Sequence, residues 1–82
     1  MSQQATQEVI DAVYSSPLNN NPNLTYGSVL SPMEVKILAI ARDENTRNRE
    51  IQAGNLDAET YNRILQAVPV IEEKLKIYNI AP

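Results

Sequence analysis

The hydrophobic positions in the second half of the chain predict two helices joined by a tight turn. The first helix follows the capping box Ser31-Pro32-Met33-Glu34, in which the Ser31 hydroxyl and the Glu34 carboxylate each accept a backbone N–H of the other residue. It is predicted to span residues 32–53, and Gly54 is suited to end it in the left-handed conformation. The two helices, at about 32–53 and 58–78, are therefore predicted to form an antiparallel helical hairpin.

The second helix of this hairpin carries apolar residues at alternating intervals of three and four residues, the spacing of a heptad seam. The members of the seam are Tyr61, Ile64, Val68, Ile71, Leu75 and Tyr78. Pro69 lies inside it, where proline removes a backbone hydrogen bond. Either the helix continues with a kink at Pro69, or it ends near Ala67 and a new helix begins at Pro69. The unbroken spacing favours the kinked helix.

The first half of the chain predicts a short amphipathic helix at the end of a long linker. Apolar residues recur at helical spacing over about residues 3–14, which include Val9, Val13 and Tyr14. The segment 15–31 is rich in Asn and Pro, which oppose regular structure. It is interpreted either as an extended arm lying along a surface or as a mobile tether. The predicted all-α chain thus divides into a helix (1–14), an arm (15–31) and a hairpin (32–82).

The composition of the 82-residue chain argues against catalysis. It contains neither cysteine nor histidine, so disulfides, thiolates and imidazole bases or ligands are excluded. A chain of this size has little volume for the deep pocket that other catalysts require. We therefore predict no enzymatic activity, no catalytic residue, no metal, no cofactor and no small-molecule substrate.

Charge and hydropathy restrict the partner and the location. The net charge of −3 makes nucleic-acid binding unlikely, since such proteins usually present a basic face. No apolar run approaches the roughly 20 residues that cross a bilayer, so no membrane association is predicted. The N-terminal residues lack the pattern of a secretory signal. The predicted location is the cytoplasm, or the host cytoplasm or virion for a viral protein.

A run of polar residues at 42–50 contains the only other candidate site, a charged recognition patch of Arg42, Arg47 and Arg49. Guanidinium groups of this kind bind phosphate or carboxylate. The alternative is a solvated stretch stabilised by pairs such as Asp43 and Arg47, four residues apart. The balance of acidic and basic residues favours the solvated stretch.

The apolar helical surface exceeds what one hairpin can cover, which predicts that another molecule covers the remainder. The leading hypothesis is a small non-enzymatic structural or interaction protein that forms a homo-oligomer or binds a larger complex. Its size and arm are those of a viral or phage accessory or assembly protein. The alternatives are a regulator or inhibitor of one protein target and a helical nucleic-acid-binding protein. The predicted interaction residues are Val9, Val13, Tyr14, Tyr26, Ile37, Leu38, Ile40, Tyr61, Ile64, Val68, Ile71, Leu75 and Tyr78.

Overall fold

The computed structural model describes residues 2–19 and 21–80, and it confirms a mainly helical fold. Asn20 of the predicted arm and the chain ends at residues 1 and 81–82 lie outside the described residues. The elements in chain order are α1 (Ser2–Tyr14), β1 (Pro17–Leu18), β2 (Asn21–Thr25), α2 (Tyr26–Val29), α3 (Pro32–Arg42), α4 (Glu44–Gln52) and α5 (Ala58–Ile80). The predicted N-terminal helix is therefore present, whereas the arm and the hairpin differ from expectation.

The predicted extended arm is wrong, because the segment 15–31 folds into a small β-hairpin and a helical turn. Strands β1 and β2 pair antiparallel, and Leu18 of β1 is fully buried. The turn α2 begins with its own capping box, in which Thr25 and Ser28 each accept the other's backbone N–H. The apolar residues of the segment pack in the chain's own core, with Leu18 and Leu30 buried there.

The predicted helix at 32–53 is also wrong in one respect, because it breaks at Asp43 into α3 and α4. The Ser31–Glu34 capping box is present as expected. Asp43 has extended backbone angles, and its carboxylate accepts the N–H of Thr46 at 3.2 Å, so it caps the start of α4. The break lets α4 turn away from α5 and pack against α1 and α3, and only α3 makes an extensive contact with α5.

Helix α5 continues through Pro69, as the unbroken heptad spacing favoured. Asp57 caps its first turn by accepting the N–H of Thr60 at 2.8 Å. Gly54 has a φ of 78°, the left-handed conformation expected at the end of the preceding helix. The local signals around the connection between α4 and α5 therefore predicted the structure correctly.

The core lies where α1, the β-hairpin, α3 and α5 meet. Its main cluster contains Ile10, Leu18, Leu30, Val35, Leu38, Ala39, Ile71 and Leu75. A second cluster of Ile40, Leu56 and Ile64 lies beside the α4–α5 connection. Because Ile10 belongs to the main cluster, α1 is an integral part of the fold.

Candidate interaction site

Most of the predicted interaction residues are buried or partly buried, and four of them also line the concavities described below: Ile37, Ile40, Tyr61 and Ile64. Leu38, Ile40, Ile64, Ile71 and Leu75 are buried in the two clusters. The partly buried residues that pack against those clusters are Val9, Val13, Tyr26, Ile37, Tyr61 and Val68. Only Tyr14 and Tyr78 of the predicted set are exposed. The helical spacing that singled these residues out therefore marks intramolecular packing.

The three arginines of the predicted charged patch each have a partner within the chain. Arg42 pairs with Glu72 at 2.9 Å. Arg47 donates to the carbonyls of Ile40 and Ala41, both at 3.2 Å, and its guanidinium lies 5.8 Å from the ring centroid of Tyr61. Arg47 thus satisfies carbonyls at the end of α3 that the break leaves without helical partners.

Arg49 belongs to a second local network at the break. It donates to the Thr46 hydroxyl at 3.1 Å, and that hydroxyl donates to Asp43. Thr46 at the centre of this network is fully buried, whereas Asp43 also lines a surface concavity. The structure therefore does not bring Arg42, Arg47 and Arg49 together as one outward-facing patch.

A different surface, which we call the connection groove, lies between α3, the α4–α5 connection and the first turns of α5. Its volume is about 240 Å³. The apolar residues that line it are Met33, Ile37, Ile40, Leu56 and Ile64. Met33 is 64% exposed, although most of the other apolar lining is buried. The groove therefore offers a partly enclosed apolar surface that a partner can reach.

A second concavity, which we call the connection pocket, lies on the other side of Leu56. Its volume is about 310 Å³, and Arg47, Ile51, Asp57, Ala58 and Tyr61 complete its lining. Ile51 is 52% exposed. Leu56, which is 7% exposed, lines both concavities, so the groove and the pocket adjoin at the α4–α5 connection.

The polar part of the groove is built around the carboxylate of Glu50, which is only 2% exposed. Lys36 Nζ lies 3.7 Å from Glu50 Oε1, and Thr6 Oγ1 donates to Glu50 Oε2 at 3.3 Å. The carboxylate thereby joins α1, α3 and α4. A buried charge must be paired in this way to be tolerated, so its evident role is structural.

The carboxylates with shifted pKa values serve as helix caps and lie apart from the groove lining. Hydrogen bonding from the Ser31 N–H, and further from Lys74, lowers the pKa of Glu34 below its ordinary value. Hydrogen bonds from Thr46 lower the pKa of Asp43, and those from Thr60 lower the pKa of Asp57. Each carboxylate is thus held ionised by groups that orient a helix terminus.

Within residues 2–19 and 21–80, no group of three or more acidic, histidine or cysteine side chains is arranged to hold a metal ion. None of the helices described is long and apolar enough to span a bilayer. Comparisons with protein-family models, with curated proteins and with solved structures found no match to this chain. The candidate site is therefore assigned from the geometry of this chain and not from similarity to another protein.

Three residues central to this surface, Met33, Ile51 and Leu56, were absent from the predicted interaction residues. Ile51 carried a usable signal, because it is a large apolar residue at the end of a polar run. Leu56 and Met33 gave none, since their roles depend on how the α4–α5 connection folds over α3. Most of the surface could be found only once the elements were placed.

Proposed function

We propose that this chain is a non-enzymatic interaction protein that docks onto another protein through the connection groove and the connection pocket. One observation carries the proposal: Met33 and Ile51 are 64% and 52% exposed while they line two adjoining apolar concavities. Apolar surface of this kind, bordered by polar residues, is typical of sites where proteins associate. The partner supplies the apolar side chains that fill the two concavities.

The concave shape favours a different protein over a second copy as the partner. In a two-fold dimer the same patch on both subunits must be self-complementary, so a second copy would have to fill the groove with side chains from that patch itself. A partner with protruding apolar side chains can instead fill the groove and displace its water. Assembly onto a larger body therefore fits the surface better than self-association through it.

The other hypotheses lack such support. A regulator using residues 42–50 depends on the arginines, and a nucleic-acid-binding protein would use either them or the final helix. The arginines are engaged by groups of the chain itself. The analogy to a viral accessory rested on an extended arm, and that segment is folded. The geometry therefore favours neither alternative.

Site-specific photo-cross-linking in the native cells tests the proposal. A photoreactive residue replaces Met33 or Ile51, and Asn48, exposed on α4 away from both concavities, receives the same residue as a control. We expect the same discrete protein adduct from Met33 and Ile51 and none from Asn48. The purified partner should then bind the wild-type chain at least about tenfold more tightly than the Met33→Glu variant.

Met33→Glu suits this purpose because it leaves the fold intact. Met33 is exposed in the first turn of α3, where a carboxylate interacts favourably with the helix dipole. Equal adducts from all three positions, or equal affinity for the wild-type and variant chains, would contradict docking at this surface. Sedimentation of the purified chain from about 1 µM to about 1 mM checks the stoichiometry, and a constant monomer mass is expected.

A further inference from the structure

We propose that the connection groove recognises an acidic segment of its partner, in which an apolar side chain enters the groove and flanking carboxylates meet Lys36 and Arg63. This inference rests on the proposed function and adds the chemistry of the partner. The two cations line the groove together with a single carboxylate, Glu50. The lining thus has a net positive charge on a chain whose total charge is −3.

The carboxylate of Glu50 is withdrawn from solvent, although its charge still offsets that of Lys36, with which it is paired. Glu50 is 2% exposed, and its carboxylate is already bound by Lys36 and Thr6. A partner therefore meets the cations of the lining rather than its one anion. A basic segment would gain no contact with Glu50 unless it displaced Lys36 from a buried carboxylate, which would be costly.

Arg63 is the cation best placed to respond to a partner. It pairs with Glu59 at 2.7 Å, but both side chains are 76% exposed, so water screens the pair and little free energy holds it. Its guanidinium can exchange this bond for a bidentate contact with a partner carboxylate. Desolvation of the groove by an apolar side chain would strengthen that contact.

Three short peptides that share the same leucine residues and carry Glu, Gln or Lys between them provide the test. Binding to the full chain is measured by nuclear magnetic resonance titration, which reports both affinity and the residues perturbed. We expect the Glu peptide to perturb Met33, Leu56 and Ile64 and to bind about threefold to tenfold more tightly than the Gln peptide. The Lys peptide should bind most weakly, and salt at about 1 M should reduce the differences.

Charge reversal at Arg63 gives the sharper readout. In Arg63→Glu the order of affinities should invert, so that the Lys peptide binds best. The matched control is Arg42→Glu, which removes an arginine from another exposed ion pair, with Glu72 at 2.9 Å, away from the groove. This control should preserve the wild-type order.

Other outcomes separate this inference from the proposed function. Equal binding of all three peptides at the groove would overturn recognition of acidic residues and leave the groove as an apolar docking site. The same conclusion follows if Arg63→Glu and Arg42→Glu behave alike. If no peptide perturbs the groove, the inference fails, while position-specific adducts at Met33 and Ile51 would still support the proposed function.

Discussion

The contact between Gly27 and Tyr14 shows how one small residue determines the path of the chain. Gly27 lies in α2 directly against the Tyr14 ring at the end of α1. A methyl group at position 27 would lie 2.3 Å from Tyr14 Cε1, which is closer than two carbon atoms can approach. With the Tyr14 ring in this position, α2 can approach it this closely because residue 27 has no side chain.

We expect Gly27→Ala to lower the free energy of unfolding by about 1–3 kcal/mol, because the Tyr14 ring must move away and lose its packing. Urea denaturation of the purified chain measures the loss. The control is a double-mutant cycle with Tyr14→Ala, in which removal of the ring should make the Gly27→Ala cost much smaller. An undiminished cost would mean that the backbone of Gly27, and not the ring, imposes the requirement.

Helices α3, α4 and α5 begin with the same device, a short polar side chain that accepts a backbone N–H from the first turn. The acceptors are Ser31 for α3, Asp43 for α4 and Asp57 for α5. In addition, Glu34 accepts the Ser31 N–H at 2.8 Å. Three carboxylates therefore stabilise helix starts in their ionised form.

We expect the stability of the chain to fall on acidification, because these three caps have lowered pKa values. The ordinary values are 4.5 for Glu34 and 3.8 for Asp43 and Asp57. A carboxylate whose pKa is lower in the folded state contributes stability above its ordinary pKa, and that contribution disappears as the pH falls through the folded value. The urea midpoint should therefore decrease between about pH 5 and about pH 2.

The variant Asp57→Asn provides the control for this titration. Asparagine keeps a cap acceptor for the Thr60 N–H but does not ionise in this range. Its midpoint should therefore depend less steeply on pH than that of the wild-type chain. An identical pH dependence in the two chains would show that Asp57 does not contribute to the acid transition.

The effect of Pro69 on the stability of α5 can also be tested. Pro69 is exposed and lacks the N–H that would bond the carbonyl of Leu65, and its ring crowds that carbonyl. We expect Pro69→Ala to raise the free energy of unfolding by about 1–3 kcal/mol, measured by urea denaturation. The exposed neighbouring substitution Gln66→Ala should change it little. A loss of stability in Pro69→Ala would instead indicate that the proline positions Ile71 and Leu75 in the core.

At the scale of elements, local signals in the sequence correctly predicted several helix ends. The break of the predicted helix at 32–53 was not predicted. The capping box at Ser31, the cap at Asp57 and the conformation of Gly54 depend on a few adjacent residues, and all were predicted correctly. The break at Asp43 uses the same cap chemistry, with Thr46 as the donor, and the loss of the apolar stripe coincides with it. It was missed because no proline or glycine marks the end of α3.

At the scale of the molecule, the apolar surface that was expected to need another subunit is largely covered by the chain itself. Helix α1 packs on α3 and α4, and Leu18 of the β-hairpin completes the main cluster. These contacts join residues distant in sequence, so neither helical periodicity nor linker composition could reveal them. The groove is a further consequence, because it forms only where the α4–α5 connection meets α3. Apart from the groove and the pocket, large apolar residues also remain exposed along α5, at Leu65, Val70, Ile77 and Tyr78.

Substitution of Ile10 tests whether α1 packs in the core of its own chain or docks only on another subunit. Ile10 is buried in the main cluster beside α3, so Ile10→Ala should lower the free energy of unfolding by about 2–4 kcal/mol. The same substitution at Ile51, which is exposed, should change it by less than about 0.5 kcal/mol. Urea denaturation at low protein concentration measures both values in the monomer.

If α1 docked only on another subunit, Ile10→Ala would not change the free energy of unfolding of the isolated chain. Equal, small effects of the two substitutions would therefore support that interpretation. A large loss at Ile10 alone would establish that α1 stabilises its own chain, so that any partner must bind a surface that the folded monomer already presents.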